Sequence, residues 1–257
     1  MKKFLVIQTA FLGDAVLATA LLEKLHVFFP DACIDLVVRK GNEGLCDAHP
    51  FLNKLFIWEK RSNKTRNLFK LIGELRKDRY DHVINCQRFF STGLITALCK
   101  AEEKIGYDKN PLALFFDLVV THGIPQPQDL RPFDPLRRHD HAHEVDRLNE
   151  LIEHITDKSR PLPRLYPTEE HVQEALSHLV TWSHEHMTTW PHEHMTVIAP
   201  ASVWYTKQWP KEKWIDLIKK LPAEQRVLLI GAPGDAPLCE RIAREAGRGE
   251  VLAGKLS

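Results

Sequence analysis

The first segment whose residues could take part in a reaction is a turn. It lies between an apolar run, residues 4–7, and the helical pattern that follows it. In this turn Gly13 permits a tight backbone, and Asp14 stands where the helix is expected to begin. An aspartate at this position can accept backbone N–H groups as a helix cap. It can also take a proton from a substrate as a general base. The residue type and its spacing leave both interpretations open.

A second segment, residues 199–210, follows a predicted strand and precedes a predicted helix. It carries two hydroxyl groups, from Ser202 and Thr206, and the cation of Lys207. Hydroxyls, a cation and the free N–H groups of a helix start are suited to binding a phosphate. The G-x-x-x-x-G-K-[ST] pattern of a Walker loop is absent, and a lysine in such a loop is also commonly just solvated.

A third segment, residues 231–235, joins another predicted strand to a helix. Gly231 allows a ligand to approach the backbone closely, and Asp235 is an acid of the kind that binds ribose hydroxyls. The G-x-G-x-x-G fingerprint of dinucleotide sites is missing, and Asp235 fits the role of a helix cap equally well.

The rest of the chain supplies the elements that would position these groups. Short apolar runs alternate with amphipathic helical patterns, which predicts an α/β fold with a doubly wound parallel sheet. Ligands of such sheets bind outside the carboxyl ends of the strands. Predicted strands cover residues 4–7, 34–38, 54–58, 82–86 and 104–107, and predicted helices cover residues 15–28, 66–78, 91–101 and 143–155.

Residues 161–167 contain three prolines and form the best candidate for a linker. We therefore predict a first domain over residues 1–165 and a second over residues 166–257. The second domain shows strands at residues 196–199, 226–230 and 251–253, with helices at 210–221 and up to 247. A domain of this type usually needs about 100–150 residues, so we expect it to be incomplete in this chain.

Composition excludes several classes of protein. A hydrophobic content of 44%, a charged content of 27% and a net charge of +1 are typical of a soluble globular protein and give no electrostatic footprint for nucleic acid. No run of 18 apolar residues occurs, so no membrane-spanning helix is expected. The five cysteines are scattered and lack a C-x-x-C spacing, which predicts reduced, mostly buried thiols in the cytoplasm.

Histidines cluster in two places. Residues 181–188 are repeated almost identically at 189–196, with four histidines and two glutamates, and a second cluster comprises His139, His141 and His143. Both sets could bind a metal. A short polar repeat does not promise the fixed ligand geometry that a metal site needs, so duplication in a surface loop is the favoured interpretation.

Taken together, the segments resemble a known family. Gly13-Asp14 after the first strand, Lys207 ahead of Trp209-Pro210, and the strand end at residues 229–233 are similar to the heptosyltransferases of lipopolysaccharide synthesis, glycosyltransferase family 9. The similarity runs, with gaps, over nearly the whole chain. It implies the GT-B fold, in which two Rossmann-like domains face each other across a cleft, the first on the acceptor side and the second binding the nucleotide sugar.

The resemblance also implies roles for individual residues. Asp14 would be the catalytic base, Ser202, Thr206 and Lys207 would bind the donor diphosphate, and Asp235, with Gly231, would bind the nucleoside. Two departures from the family pattern stand out. The aspartate-glycine-histidine motif that normally completes the diphosphate site does not occur, and Asp235 is shorter than the glutamate of some members.

The implied reaction is an inverting, metal-independent transfer of heptose, or a similar sugar, from ADP-heptose to a lipopolysaccharide core acceptor. A nucleoside diphosphate leaves as a stable anion, so one carboxylate base suffices where an inverting glycosidase needs an acid as well. The resemblance implies no cofactor besides the nucleotide-sugar co-substrate. It implies a cytoplasmic protein, peripheral to the inner membrane, where the acceptor lies. The alternative is a non-catalytic nucleotide- or sugar-binding module derived from such an enzyme.

Overall fold

The computed structural model describes residues 1–122, 143–180 and 195–256. Within it the chain divides into two compact units, Met1–Pro167 and Thr168–Ser257. The sequence places the boundary two residues earlier. His139, His141 and the histidine-rich repeat up to residue 194 lie outside the described residues.

The first unit is built on a six-stranded sheet in the order β3-β2-β1-β4-β5-β6, with every neighbouring pair parallel. This confirms the predicted parallel, doubly wound sheet. It is the Rossmann strand order, in which the order reverses between β1 and β4 and a ligand crevice forms at the carboxyl ends there. The strands are β1 Lys3–Ile7, β2 Cys33–Arg39, β3 Leu52–Trp58, β4 Tyr80–Asn85, β5 Ala101–Tyr107 and β6 Leu118–Val120.

Helices cover both faces of this sheet, which explains why its central strands read as continuous apolar runs. In β1, Phe4 and Val6 enter one core layer, whereas Leu5 and Ile7 enter the other. The helices of this unit are α1 Leu12–Phe28, α2 Lys64–Leu75, α3 Phe90–Leu98 and α4 Glu144–Glu150.

Several predicted bounds in the first unit are wrong. The helix predicted to reach residue 101 ends at Leu98, and β5 begins at Ala101, because pairing with β4 from Tyr80 onward draws this segment into the sheet. The helix predicted up to residue 155 stops at Glu150, and a separate 3-10 turn, Glu153–Ile155, follows. The apolar run at residues 112–120, for which the sequence pattern favours neither a strand nor a helix, forms a 3-10 turn and then β6.

The predicted linker is irregular, as expected, but it is held along α1. The backbone N–H of Arg164 donates to Thr19 Oγ1 at 2.9 Å, and the Tyr166 hydroxyl donates to Glu23 Oε1 at 2.9 Å. Just before it, the buried ammonium of Lys24 donates to two backbone carbonyls at residues 157 and 159. These contacts explain why the compact first unit extends to Pro167.

The second unit contains a three-stranded parallel sheet in the order β7-β8-β9. Its core lies between this sheet and two of the helices, and Gly247, at φ 77°, ends the last helix in the left-handed conformation that favours glycine. The elements are α5 Glu169–Val180, β7 Met195–Ile198, α6 Lys211–Lys220, β8 Arg226–Leu229, α7 Ala236–Ala246 and β9 Glu250–Val251.

Two predictions about the chain's chemistry can be compared with the described residues. All five cysteines are free, and four of them are buried, which agrees with the predicted reduced thiols. Among the described helices, none combines the length and the apolar character that a bilayer crossing requires.

Candidate functional site

The turn between β1 and α1 places Asp14 at the carboxyl edge of the first sheet. The helix begins at Leu12, not at Ala15 as predicted, so Asp14 lies inside its first turn. From there Asp14 Oδ2 accepts the backbone N–H of Phe11 at 3.2 Å. This is the carboxylate half of a capping box, in which the third helical residue reaches back to the cap. The capping interpretation is therefore correct for one of the two carboxylate oxygens.

The second oxygen of Asp14 remains available. Within the described residues, Asp14 Oδ1 accepts no hydrogen bond, and the side chain is only partly buried. An oxygen with unused lone pairs, on a carboxylate whose other oxygen is held by the backbone, has a defined direction in which to accept a proton. Capping and base catalysis are thus compatible in this geometry.

Behind this turn lies a buried polar cluster that we did not single out from the sequence. Gln8 and Thr9, which follow β1, face Gln87, which follows β4. Gln87 Nε2 donates to Gln8 Oε1 at 2.5 Å, and the Thr9 hydroxyl donates to Gln87 Oε1 at 3.3 Å. Gln8 Oε1 also accepts the backbone N–H of Ala10 at 3.2 Å. The cluster ties the β1–α1 turn to the end of the neighbouring strand.

Asn85, the last residue of β4, belongs to the same edge and is fully buried. Its Oδ1 accepts the N–H of Gln87 at 3.0 Å, whereas its amide nitrogen has no partner among the described residues. A buried amide donor without a partner is uncommon in protein interiors. Polar residues directly after two apolar strand runs were the signal in the sequence that would have identified this cluster.

Lys60, which follows β3, supplies a cation to the same turn. Its ammonium donates to the carbonyl of Thr9 at 2.5 Å and to the Thr9 hydroxyl at 3.0 Å, and it lies 4.5 Å from the centre of the Trp58 ring. Burial, together with the charges of Arg39 and Lys64, lowers the pKa of Lys60 to about 8. Lys60 was also missed, because nothing in the local sequence shows that β3 ends beside this turn.

In the second unit, the loop after β7 holds the three residues predicted to bind a diphosphate. Ser202 Oγ accepts the backbone N–H of Trp204 at 3.3 Å and so helps to shape the loop. Thr206 and Lys207 lie exposed in a 3-10 turn, Tyr205–Lys207. No ion pair engages Lys207 among the described residues. The loop thus presents a hydroxyl and a cation to solvent.

The helix after this loop begins at Lys211, so Pro210 is its cap residue and not its first residue as predicted. Proline lacks an N–H, so its position at the cap removes no helical hydrogen bond. Trp209 packs edge-on against Trp214, with ring centres 4.8 Å apart, which agrees with a packing role. By contrast, Trp204 is 59% and Tyr205 88% exposed.

The loop after β8 holds Gly231 and Asp235 in close contact. Asp235 Oδ2 accepts the backbone N–H of Ala232 at 2.8 Å, the same arrangement as Asp14 makes in the first unit. A Cβ atom on Gly231 would lie 2.9 Å from the Cβ of Asp235, so glycine is required there. The Gly231 carbonyl accepts the N–H of Gly254 at 2.9 Å, which joins the loop to the segment after β9.

The predicted residues therefore fall into two sets, one in each unit. Asp14 lies with the Gln8, Thr9, Gln87 and Lys60 cluster at the carboxyl edge of the first sheet. Since β7 and β8 are parallel neighbours, the loop with Lys207 and the loop with Asp235 both lie at the carboxyl edge of the second sheet. No described contact assigns a ligand to either set, so the individual roles remain predictions.

Comparison with known proteins identifies the family. A family model described as glycosyltransferase family 9 (heptosyltransferase) matches residues 68–257. Lipopolysaccharide heptosyltransferase 3 of Escherichia coli is 29% identical over 120 residues, which are 45% of this chain and 35% of that protein. The matched segments thus span about a third of the length of the first curated relatives, 35% and 32%.

Solved structures show the same fold. A glycosyltransferase of family 9 from Veillonella parvula is 20% identical, with a TM-score of 0.76 over 99% of this chain and 70% of that one. Heptosyltransferase WaaC of E. coli with ADP is 20% identical, with a TM-score of 0.66 over 97% of this chain and 74% of that one. The predicted GT-B type of α/β fold is confirmed. Because the family model matches most of its length, this chain belongs to glycosyltransferase family 9, the family of the heptosyltransferases.

Proposed function

We propose that this protein is an inverting glycosyltransferase that moves heptose from ADP-heptose to a lipopolysaccharide-type acceptor without a metal ion. The observation that carries the proposal is the family match over residues 68–257. The named curated relative is a lipopolysaccharide heptosyltransferase, which supports the acceptor class. The WaaC structure contains ADP, which supports an adenine nucleotide as the carrier of the sugar.

Asp14 is the base in this proposal, although it lies outside the segment that the family model matches. The acceptor hydroxyl attacks the anomeric carbon, and the new C–O bond forms as the bond to the diphosphate breaks. Asp14 Oδ1 takes the hydroxyl proton, while Oδ2 stays bound to the Phe11 N–H. ADP leaves as an anion, so the scheme needs no general acid.

The buried cluster supports this role because it limits movement of the turn that carries Asp14. Thr9 is held by Lys60 on one side and by Gln87 on the other, and Gln8 holds the N–H of Ala10. A base is effective only when its direction is maintained to a fraction of an ångström. We infer that these buried groups are positioning residues for Asp14.

The donor groups in the proposal come from the second unit. Lys207 and Thr206 are exposed at the carboxyl edge of the sheet and would stabilise the charge that grows on the diphosphate. Ser202 would add a hydroxyl from the same loop. The nucleoside would bind at the loop of Gly231 and Asp235, with the second carboxylate oxygen of Asp235 on the ribose.

The acceptor class also suits the surface of the first unit. Loops at the carboxyl edge of its sheet expose large apolar side chains: Phe11 is 49%, Phe89 62% and Phe90 57% exposed. Exposed aromatic groups at a binding edge are favourable for an acceptor that carries lipid. We therefore place the reaction at the cytoplasmic face of the inner membrane, with the protein peripheral to it.

The substitution Asp14→Asn tests the base. Asparagine keeps an oxygen that can accept the Phe11 N–H, so the turn should persist, but it takes up no proton. We expect kcat to fall by about 10²–10⁴-fold and ADP affinity to remain unchanged. ADP release from ADP-heptose with a heptose-free lipopolysaccharide acceptor measures turnover, and calorimetry measures ADP binding.

Asp235→Asn is the matched control, because Asp235 makes the same contact to a backbone N–H. It should raise the KM for the donor and leave kcat nearly unchanged. Near-normal kcat in Asp14→Asn would refute the base assignment. ADP binding by the wild-type chain with no transfer to any heptose-free acceptor would favour the non-catalytic binding module instead.

A further inference from the structure

Three ionisable side chains converge on the sheet of the first unit, away from the carboxyl edge that carries Asp14. His82 in β4 and Glu103 in β5 are register partners, and His154 comes from the 3-10 turn after α4. His82 Nδ1 and His154 Nε2 each lie 2.9 Å from Glu103 Oε2. Within the described residues, these donor atoms form the one group of this kind whose members all lie within 4.8 Å of one another.

The position of the group is separate from the proposed catalytic machinery. His82 lies three residues before the end of β4, which corresponds to about 10 Å along a strand. Its ring stacks on Phe4, with centres 5.2 Å apart and planes 11° apart, so its orientation is held by the core. Neither histidine nor Glu103 contacts the Gln8, Thr9, Gln87 and Lys60 cluster in any described hydrogen bond.

The donor set is that of a zinc site. The two imidazole nitrogens make this set favour Zn²⁺ over Mg²⁺ or Ca²⁺, which prefer ligand sets made of oxygen alone, and zinc also accepts a carboxylate oxygen. Zinc bound tetrahedrally at about 2.0–2.1 Å from each donor would separate the donors by about 3.3 Å. The two N···O distances would open by about 0.4 Å from their present 2.9 Å, and each neutral imidazole would carry its proton on the ring nitrogen that faces away from the metal.

Exposure also fits this assignment. The side chain of His82 is 12% exposed, whereas those of Glu103 and His154 are 30% and 32% exposed. One side of the group is therefore open to solvent, where a water could serve as the fourth ligand.

We propose that His82, Glu103 and His154 bind one Zn²⁺ ion, which links the turn after α4 to β4 and β5. The proposal does not depend on the transfer reaction. Zinc that binds the folded chain and not the unfolded one stabilises it by mass action. The site would therefore act on the stability of the first unit and leave the chemistry at Asp14 unchanged.

The test uses the full chain after treatment with EDTA and desalting. The histidines of the repeat and of the second cluster could also bind zinc, so the parent and all variants carry asparagine at His184, His186, His192, His194, His139 and His141. Competition with a chromophoric chelator measures affinity for Zn²⁺. We expect one site per chain, with affinity lowered at least about tenfold by Glu103→Gln and by His154→Asn. Zinc should also raise the Tm of the parent but not of these variants.

Glu153→Gln is the matched control, because Glu153 precedes His154 in the same turn and lies outside the group. It should bind zinc like the parent. Far-ultraviolet circular dichroism checks that each variant is folded. Bound Co²⁺ should show visible absorption in the parent but not in Glu103→Gln or His154→Asn. Equal zinc affinity in the parent, Glu103→Gln and His154→Asn would overturn the proposal, as would the lack of any zinc binding by the parent.

Discussion

His49 should make the first unit sensitive to mild acid. His49 belongs to the segment that joins β2 to β3, its side chain is 7% exposed, and neither ring nitrogen has a partner among the described residues. The ring packs edge-on against Phe51 and Tyr166, with ring centres 4.4 and 4.9 Å away. Burial, followed by the nearby charge of His26, lowers the pKa of His49 from 6.5 to about 4.

The sign of the effect follows from which state takes up the proton. Below pH 6.5 the unfolded chain protonates His49, whereas the folded chain does so only near pH 4, so stability falls as pH drops through this window. Above pH 7, His49 should contribute no pH dependence to the free energy of unfolding. With a pKa of 6.5 in the unfolded chain and about 4 in the folded chain, the free energy of unfolding falls by about 2 kcal/mol between pH 7 and pH 5.

Hydrogen exchange followed by mass spectrometry measures this loss. The slowest amides of β1 and β2 report opening of the first unit, and their protection should fall roughly 30-fold between pH 7 and pH 5 after correction for intrinsic rates. His49→Phe keeps an aromatic ring and removes the titration, so its protection should fall much less. Equal losses in the wild type and in His49→Phe would refute the reasoning.

Two further substitutions test the donor loop and the packing under the active edge. Lys207→Met should weaken ADP binding about tenfold, about 1.4 kcal/mol, because it removes a cation that would contact the diphosphate. Calorimetry measures this affinity. Lys213 is exposed on α6, so Lys213→Met is the control and should bind ADP normally. A Cβ at Gly93 would lie 2.2 Å from Asn110 Oδ1, so Gly93→Ala should cost about 1–3 kcal/mol and lower the Tm. Gly73→Ala, in a helix with open space, should raise the Tm instead. Unchanged ADP affinity in the first case, or an equal Tm for both glycine variants, would contradict these expectations.

The sequence by itself determined the fold class and the local position of the proposed groups. Apolar runs of strand length that alternate with helical patterns require helices on both faces of a parallel sheet. That arrangement places any residue just after a strand at the carboxyl edge, so Asp14, Lys207 and Asp235 could be found from their neighbours alone. Boundaries were less certain, as at Ala101, because strand pairing overrides the local pattern.

Only the tertiary structure decided which distant residues meet. Gln8 binds Gln87 because the sheet places β1 beside β4, and Lys60 reaches Thr9 because β3 ends near the same turn. His82 and Glu103 meet because β4 and β5 are paired in this register, and His154 joins them only through the path of the chain after α4. Periodicity and capping are local properties, whereas these contacts depend on strand order and register, which a local pattern does not encode.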